Sequence, residues 1–329
     1  MSDNYKELIK ILGENKVLLD EPLSKYSSLH IGGPADVFFK ARTCDELVKA
    51  VTSAWHLKIP VFVISGGTNL LVGDYGYHGL VVKNETNSIK LVGVYGGRKS
   101  KSSTKVHTAI LEVETGVGIN RLVRYTLDQG FSGLAAFLGQ PGCVGGSVWN
   151  NAHNMETGNF FGDNIFGAKI LEFSGKVVEV SKSYFKFGYD QSIIQKTHDI
   201  VLSVLLKLNA GDKKSLWEDA QRALEYRRKT QPVGVFSSGC TFRNIKKSDA
   251  IRIATPSYTC SAGYLIESVG LKGYQIGDAY FSSSHANFIL NKGSSKARDV
   301  LALINIAKKK VKEKYKLDLK EEIVLVGEF

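Results

Sequence analysis

The chain has 329 residues, 43% of them hydrophobic and 23% charged, and carries a formal net charge of +11 at pH 7. That length allows two or three domains, and no apolar run approaches the roughly 18 residues of a membrane span, so no membrane association is expected. Four cysteines (Cys44, Cys143, Cys240, Cys260) without a CxxC spacing and seven histidines without an HxxxH or HxH pair argue against a disulfide framework and a zinc cluster, and no metal is expected.

The N-terminal "MSDNYKELIKILGENK" reads as a short amphipathic helix. It lacks the uninterrupted apolar core and small-residue cleavage site of a signal peptide, so a cytoplasmic protein is expected. "TCDELVKAVTSAWHLKIP" reads as a second helix, with Thr43 as cap and Glu46 three residues on. Val61 to Ile64 is a run of β-formers that leads into the turn Ser65-Gly66-Gly67-Thr68-Asn69 and a further apolar stretch. "VYGGRKSKSSTKVH" is polar, basic and glycine-containing, and reads as a hairpin tip or mobile loop. "HTAILEVETGVGINRLVRYTLDQG" repeats the scheme of strand, glycine turn at Gly116 to Gly118 and helix, with Gly130 ending the helix. Strands are expected around a turn at Gly175. "SLWEDAQRALEYRRKTQ" is a helix stopped before Pro232. Beyond it come a helix in "SAGYLIESVGLKG", a strand in "ANFILN", a long amphipathic helix in "KARDVLALINIAKKKVKEKYK" and a terminal strand in "EEIVLVGEF". The lysines of that last helix read as a solvated face. No RNA-binding signature or helix-turn-helix accompanies them, so nucleic acid is not an expected partner, whereas a positive field suits anionic small molecules.

Two glycine-rich stretches and one cysteine carry the chemistry. Ser65 to Asn69 is neither a Walker loop nor GxGxxG. Its consecutive glycines let backbone N–H groups converge on an anion, with Ser65, Thr68 and Asn69 adding donors, although an ordinary tight turn explains it as well. "GLAAFLGQPGCVGGSVWNNA" sets Gly139, Gly142, Gly145 and Gly146 around Pro141, followed by Ser147, Asn150 and Asn151. A loop so poor in side chains lets a flat ligand lie against backbone, with the asparagines at its edge. In "SSGCTFRN", Cys240 could be buried filler, half of a disulfide, a metal ligand, a nucleophile or a proton donor.

These stretches, together with "YSSLHIGGPADVFF", "AGYLIESVGLKGYQIGDAYFSSSHANFILN" and "LKEEIVLVGEF", occur in an order and spacing that resembles the UDP-N-acetylenolpyruvoylglucosamine reductase family from end to end. The absence of a substrate-clamping insertion near the C-terminus makes the chain similar to the shorter, type II members. The resemblance implies an α+β protein: a two-subdomain FAD-binding fold of the PCMH or vanillyl-alcohol-oxidase type plus a C-terminal α+β substrate-binding domain. The expected boundaries are 1–85, 86–210 and 211–329. It implies FAD as cofactor, NADPH as cosubstrate and UDP-N-acetylglucosamine-enolpyruvate as substrate, in a protein expected to be a monomer. Ile64 to Leu70 would then cradle the FAD pyrophosphate, and the Gly139 to Gly146 loop, with Ser147, would lie along the flavin.

The implied reaction delivers hydride to the enolpyruvyl group and a proton to the neighbouring carbon. Most relatives hold a serine as proton donor at the position of Cys240. A thiol, with a reference pKa of about 8.5, is mostly neutral near pH 7 and can fill that role. Glu322 matches the family's C-terminal catalytic glutamate, with Glu321 as its confusable neighbour. Asn244 and Tyr189 match substrate contacts, and Lys229 lies near a basic residue of the nucleotide site. One departure stands out. Where the family has an arginine after Tyr189, steadying the enolate, this chain has Asp190, whose charge is wrong for that task. Arg243 is the first candidate to replace it and Arg228 the second. The same departure leaves two alternatives open: another flavin oxidoreductase of this fold, or a non-catalytic binder of flavin or UDP-sugar.

Overall fold

The amphipathic start of the chain folds as expected into α1 (Asp3–Leu12), which buries Leu8 and Leu12. In the computed structural model, which describes residues 2–100 and 103–329, this helix opens the first of two compact units. Residues 1–18, 38–66 and 79–227 form the first unit, and residues 19–37, 67–78 and 228–329 the second.

Five strands follow α1: β1 (Val17–Pro22), β2 (Pro34–Ala41), β3 (Val61–Ile64), β4 (Leu70–Val72) and β5 (Tyr77–Asn84), with α2 (Cys44–His56) between β2 and β3. One sheet runs in the order β1-β2-β5-β3, with β3 and β5 parallel. The predicted cap of α2 forms, Glu46 N donating to Thr43 Oγ1 at 3.1 Å. The Glu46 carboxylate reaches back one residue past the cap, accepting from Arg42 N at 2.9 Å.

A second sheet is built from β6 (Ile89–Ser100), β7 (Ser103–Glu114), β10 (Ile165–Leu171), β11 (Val177–Ser181) and β12 (Ile200–Asn209), in the order β11-β10-β12-β7-β6. The basic stretch expected as a hairpin tip or loop is mostly strand, paired from Ile89↔Val113 out to Ser100↔Ser103. Lys101 and Ser102 of that stretch lie outside the described residues. Among the described residues β6 is an edge strand, where polar residues are tolerated. The helices α3 (Ile119–Asp128), α4 (Val144–Trp149) and α5 (Ile194–Thr197) and the pair β8 (His153–Asn154) and β9 (Asn159–Phe160) complete this region, before α6 (Lys213–Thr230). The core of the first unit joins the inward face of β7 and β12 to α3: Leu111, Val113, Leu122, Val123, Val204 and Leu206 are fully or almost fully buried.

In the second unit β13 (Phe236–Cys240), β14 (Gln275–Ile276), β15 (Ala279–Phe281) and β16 (Phe288–Asn291) form a sheet in the order β13-β16-β15-β14. The helices are α7 (Lys247–Arg252), α8 (Ala262–Ser268) and α9 (Ala297–Tyr315), and β17 (Val324–Val326) runs parallel to β4. α9 buries Val300, Leu303, Ile304, Ala307 and Val311 along one stripe, which leaves Lys309, Lys312 and Lys314 exposed as predicted. No helix among the described residues is long and apolar enough to cross a membrane.

Candidate functional site

Within the first unit, β3 ends at Ile64 and enters the turn through Ser65 and Gly66. The parallel register sets Ile64 beside Lys83 of β5, and Lys83 Nζ donates to the Ser65 carbonyl. Burial pulls this ammonium below its ordinary pKa, an effect that Cys143 and Glu85 oppose; burial likewise pushes the Cys143 thiol up, and Lys83 opposes it. A partly desolvated cation behind a glycine turn is the electrostatic setting of an anion cradle.

The second glycine stretch lies against the first. A methyl group on Gly66 would stand 2.6 Å from Gly142 Cα, so the two turns meet backbone to backbone. Gly142 also has φ +105°, outside the range of an L side chain. Asn120 brackets the loop, accepting from Gly139 N at 2.7 Å and donating to the Gln140 carbonyl at 3.0 Å. Bonds of 2.9 Å from Val144 N to Val117 O and from Gly145 N to Thr115 O stitch its far end to the turn after β7. The loop is shorter than expected: Gly145, Gly146 and Ser147 belong to α4. Gly145 is there for close packing, since its methyl would stand 3.2 Å from Thr115 Cβ, whereas Gly146 faces open space. Asn151 is not a ligand-facing residue. Its amide donates to Gly188 O at 2.9 Å and accepts from Gly162 N at 3.0 Å. Asn150 Oδ1 and Gln140 Oε1, by contrast, are buried without a hydrogen-bond partner, as are atoms that a bound ligand satisfies. Bare backbone, orphaned polar atoms and a half-buried lysine fit a flat cofactor that carries a diphosphate.

Tyr189 and Asp190 follow Phe187-Gly188 in the same unit. Asp190 is completely buried and faces His153, with Nδ1 at 3.2 Å from Oδ1. The His153 ring lies 4.8 Å from that of Tyr189.

The second unit holds the residues expected to move protons. Gly239, at φ +83°, and a register shift between Ser237 and Cys240 bulge the end of β13 and turn the chain at Cys240. The next two residues are clamped by Asn287, which is buried. Its carbonyl accepts from Thr241 N at 2.7 Å, its Oδ1 accepts from Phe242 N at 2.9 Å, and its Nδ2 donates to Phe242 O at 2.7 Å. From the other side Glu322 N donates to Thr241 O at 2.9 Å. Cys240 thus immediately precedes the residue to which the backbone of Glu322 is bonded. Glu321 is distinguished from Glu322 by an ion pair with Lys308 at 2.7 Å on α9. Asn69 Nδ2 donates to the Glu322 carbonyl at 3.0 Å, so this amide from the glycine turn is spent on anchoring the glutamate; Leu70 continues the tie by pairing with Val324. Arg243 has a buried Nε without a hydrogen-bond partner, a guanidinium set for an acceptor the protein does not supply. Asn244 Oδ1 caps the start of α8, accepting from Ala262 N at 3.1 Å. Lys229 and Arg228 sit exposed in the last turn of α6, and Thr68 and Gly67 complete the turn. His285 is held below its ordinary pKa by burial and accepts from Asn287 N at 3.3 Å. Sequence reasoning missed Lys83, Asn120, His153 and Asn287, because each owes its role to a residue distant in the chain. No group of three or more His, Cys, Asp or Glu among the described residues could hold a metal ion.

Residues 35–181 match the model of the FAD binding domain family. A VAO-type flavoprotein of Myceliophthora thermophila superposes with a TM-score of 0.56 over 95% of this chain and 85% of its own, at 10% identity, a likeness of fold. The fold and the glycine-lined cradle define a flavoprotein of the vanillyl-alcohol-oxidase architecture. Residues 231–326 match the family described as UDP-N-acetylenolpyruvoylglucosamine reductase, C-terminal domain. The reductase of that name from Clostridium botulinum (strain 657, type Ba4) is 33% identical over 332 residues, covering 99% of each chain. The crystal structure of the Thermus caldophilus reductase matches with a TM-score of 0.73 at 29% identity, over 94% of this chain and 98% of that one. The chain belongs to the UDP-N-acetylenolpyruvoylglucosamine reductase family, an NADPH-dependent oxidoreductase with FAD as its cofactor.

Gly66→Ala is expected to empty the cradle. The added methyl has no room against the Gly142 backbone, so one turn must shift by several tenths of an ångström, and the purified variant should carry less than about a tenth of the FAD of the unmodified protein, a loss of some 1.4 kcal/mol or more in binding. The ratio of absorbance at 450 nm to that at 280 nm measures it.

Proposed function

We propose that the protein reduces UDP-N-acetylglucosamine-enolpyruvate to UDP-N-acetylmuramate with NADPH, a step of peptidoglycan precursor synthesis in the cytoplasm. The observation that carries this reading is the 2.9 Å bond from Glu322 N to the Thr241 carbonyl, which ties the backbone of Glu322 to the residue after Cys240, with the buried, unpartnered Nε of Arg243 two residues further on. Bound FAD would supply the hydride-transfer chemistry that links NADPH to the terminal carbon of the enolpyruvyl group.

The chain's own residues do the rest. Ser65 to Asn69, flanked by Ile64 and Leu70, and the Gly139-Pro141-Gly142 loop with Gly145, Gly146 and Ser147 hold the cofactor, Lys83 supplying positive charge behind the turn. Cys240 gives the proton that the carbon next to the new C–H bond requires. Arg243 bears the negative charge that gathers on the carboxylate side. Glu322 relays a proton on the other side of the enol. Tyr189, Lys229 and Asn244 contact substrate, Asn244 through its NH2 since its oxygen holds α8. In this reading residues 1–85 and 86–210 serve the flavin and residues 211–329 the substrate, and the protein works as a monomer.

The test is an anaerobic titration. The purified protein is yellow, NADPH bleaches it, and UDP-N-acetylglucosamine-enolpyruvate restores the colour while UDP-N-acetylglucosamine does not. A yellow protein that NADPH bleaches but the enolpyruvyl compound leaves bleached is a different flavin oxidoreductase. One that NADPH does not bleach is a binder only.

A further inference from the structure

Asp190 is fully buried, yet both of its carboxylate oxygens lack a hydrogen-bond partner. A buried carboxyl without donors is costly unless a neighbouring group compensates it, and the group that faces it is His153, whose Nδ1 stands 3.2 Å from Asp190 Oδ1. The contact has the distance of a polar pair without the alignment of a hydrogen bond, since His153 Nδ1 is itself buried and unbonded. The arrangement is built in. Asp190 adopts φ +50°, a region that favours glycine and costs an aspartate conformational strain. The backbone is pinned there by Gln195 Nε2 donating to the Asp190 carbonyl at 3.0 Å, by Asn151 Nδ2 donating to Gly188 O at 2.9 Å, and by the Gly188↔Gln191 bridge.

His153 has a second side. Its side chain retains 13% exposure, and its ring leans on Tyr189 at 4.8 Å and on Phe160 at 5.7 Å. With Nδ1 turned to the buried aspartate, Nε2 lies at the far corner of a ring that packs on Tyr189, the residue expected to contact substrate. An imidazole ring so clamped offers one oriented N–H.

We propose that His153 is a donor to the enolpyruvyl carboxylate of the substrate, with Asp190 as the positioning residue that keeps the imidazole aimed. The proposal rests on the reading of the reaction given above. It also gives a role to an aspartate standing where an arginine was expected: the donor is residue 153, and Asp190 orients it.

The experiment uses the FAD-loaded protein and measures the dissociation constants of UDP-N-acetylglucosamine-enolpyruvate and of UDP-N-acetylglucosamine, which lacks the carboxylate, from their perturbation of the flavin absorbance. His153→Gln and Asp190→Asn are expected to weaken the enolpyruvyl ligand by about ten- to a hundredfold, the range of one charge-assisted hydrogen bond. UDP-N-acetylglucosamine should change by less than about twofold on the same reasoning, and His153→Lys should recover most of the loss because it returns an N–H donor to that position. FAD content and the rate of flavin reduction by NADPH stay at the unmodified level in a variant that has folded, and a variant that loses FAD leaves the other two to decide. Equal weakening of both ligands assigns His153 to the diphosphate or to structure and overturns the proposal, as does unaltered binding or a lysine variant no better than glutamine. If the unmodified protein neither binds nor reduces the enolpyruvyl compound, the functional reading fails and takes this one with it; normal turnover with indifferent variants removes the role of His153 alone.

Discussion

Cys240→Ala is expected to lower the turnover of UDP-N-acetylglucosamine-enolpyruvate by about 10²- to 10⁴-fold, the span of a positioned general acid, while NADPH still reduces the bound flavin at the unmodified rate. The two half-reactions would separate because, in the proposed mechanism, the thiol serves only the second. Its placement is a consequence of backbone design: the bulge before Cys240, the left-handed Gly239 and the clamp on Thr241 and Phe242 hold residue 240 while leaving it half-exposed. Cys240→Ser keeps appreciable turnover, since a hydroxyl can give the same proton, though a weaker acid. Stopped-flow absorbance at 450 nm reads both half-reactions in one preparation. Normal product formation by the alanine variant would falsify the assignment and turn Cys240 into a small buried filler. Arg243→Ala, measured in parallel, slows the second half-reaction and spares the first if its buried Nε faces the substrate's developing charge.

Asn287→Leu is expected to cost roughly 3 kcal/mol or more in stability. The side chain satisfies both backbone groups of the fully buried Phe242, and leucine leaves a buried N–H and a buried carbonyl without partners, each worth about 1–3 kcal/mol. A loss of that size should lower the melting temperature by about 10 °C. Turnover falls as well, because the segment that Asn287 releases runs from Cys240 to the Glu322 contact, whereas FAD content is retained, its cradle resting on Gly66, Gly142 and Asn120. Differential scanning fluorimetry, with flavin fluorescence for FAD release, gives both readings; a shift below about 2 °C means that water or a rearranged backbone satisfies Phe242.

Local features of the fold were legible in the sequence where one segment carries its own signal. The Thr43 cap of α2, the apolar stripe of α9 and the stop of α6 before Pro232 each follow from residues within a few positions of one another. The basic stretch around 94–107 was legible as the end of a hairpin, but its polarity hid the strand within it, since an edge strand needs no apolar face. In the site the glycines were readable as missing side chains, but the split of the second glycine stretch between a turn and α4 was not. Asn151 looked like Asn150 in sequence; only its bonds to Gly162 and Gly188 mark it as structural.

Residue chemistry was therefore set by the sequence alone: a thiol at 240, a carboxylate at 322, glycines where backbone must lie bare, and an acidic residue at 190 where a basic one was expected. Which of these act together was decided by tertiary structure. Thr241 meets Glu322, Lys83 meets Ser65 and His153 meets Asp190 through strand register and loop closure. The physical reason is that composition and periodicity report forces acting within a few residues, whereas a charge finds its partner across tens or hundreds of positions, once the chain between them has been folded out of the way.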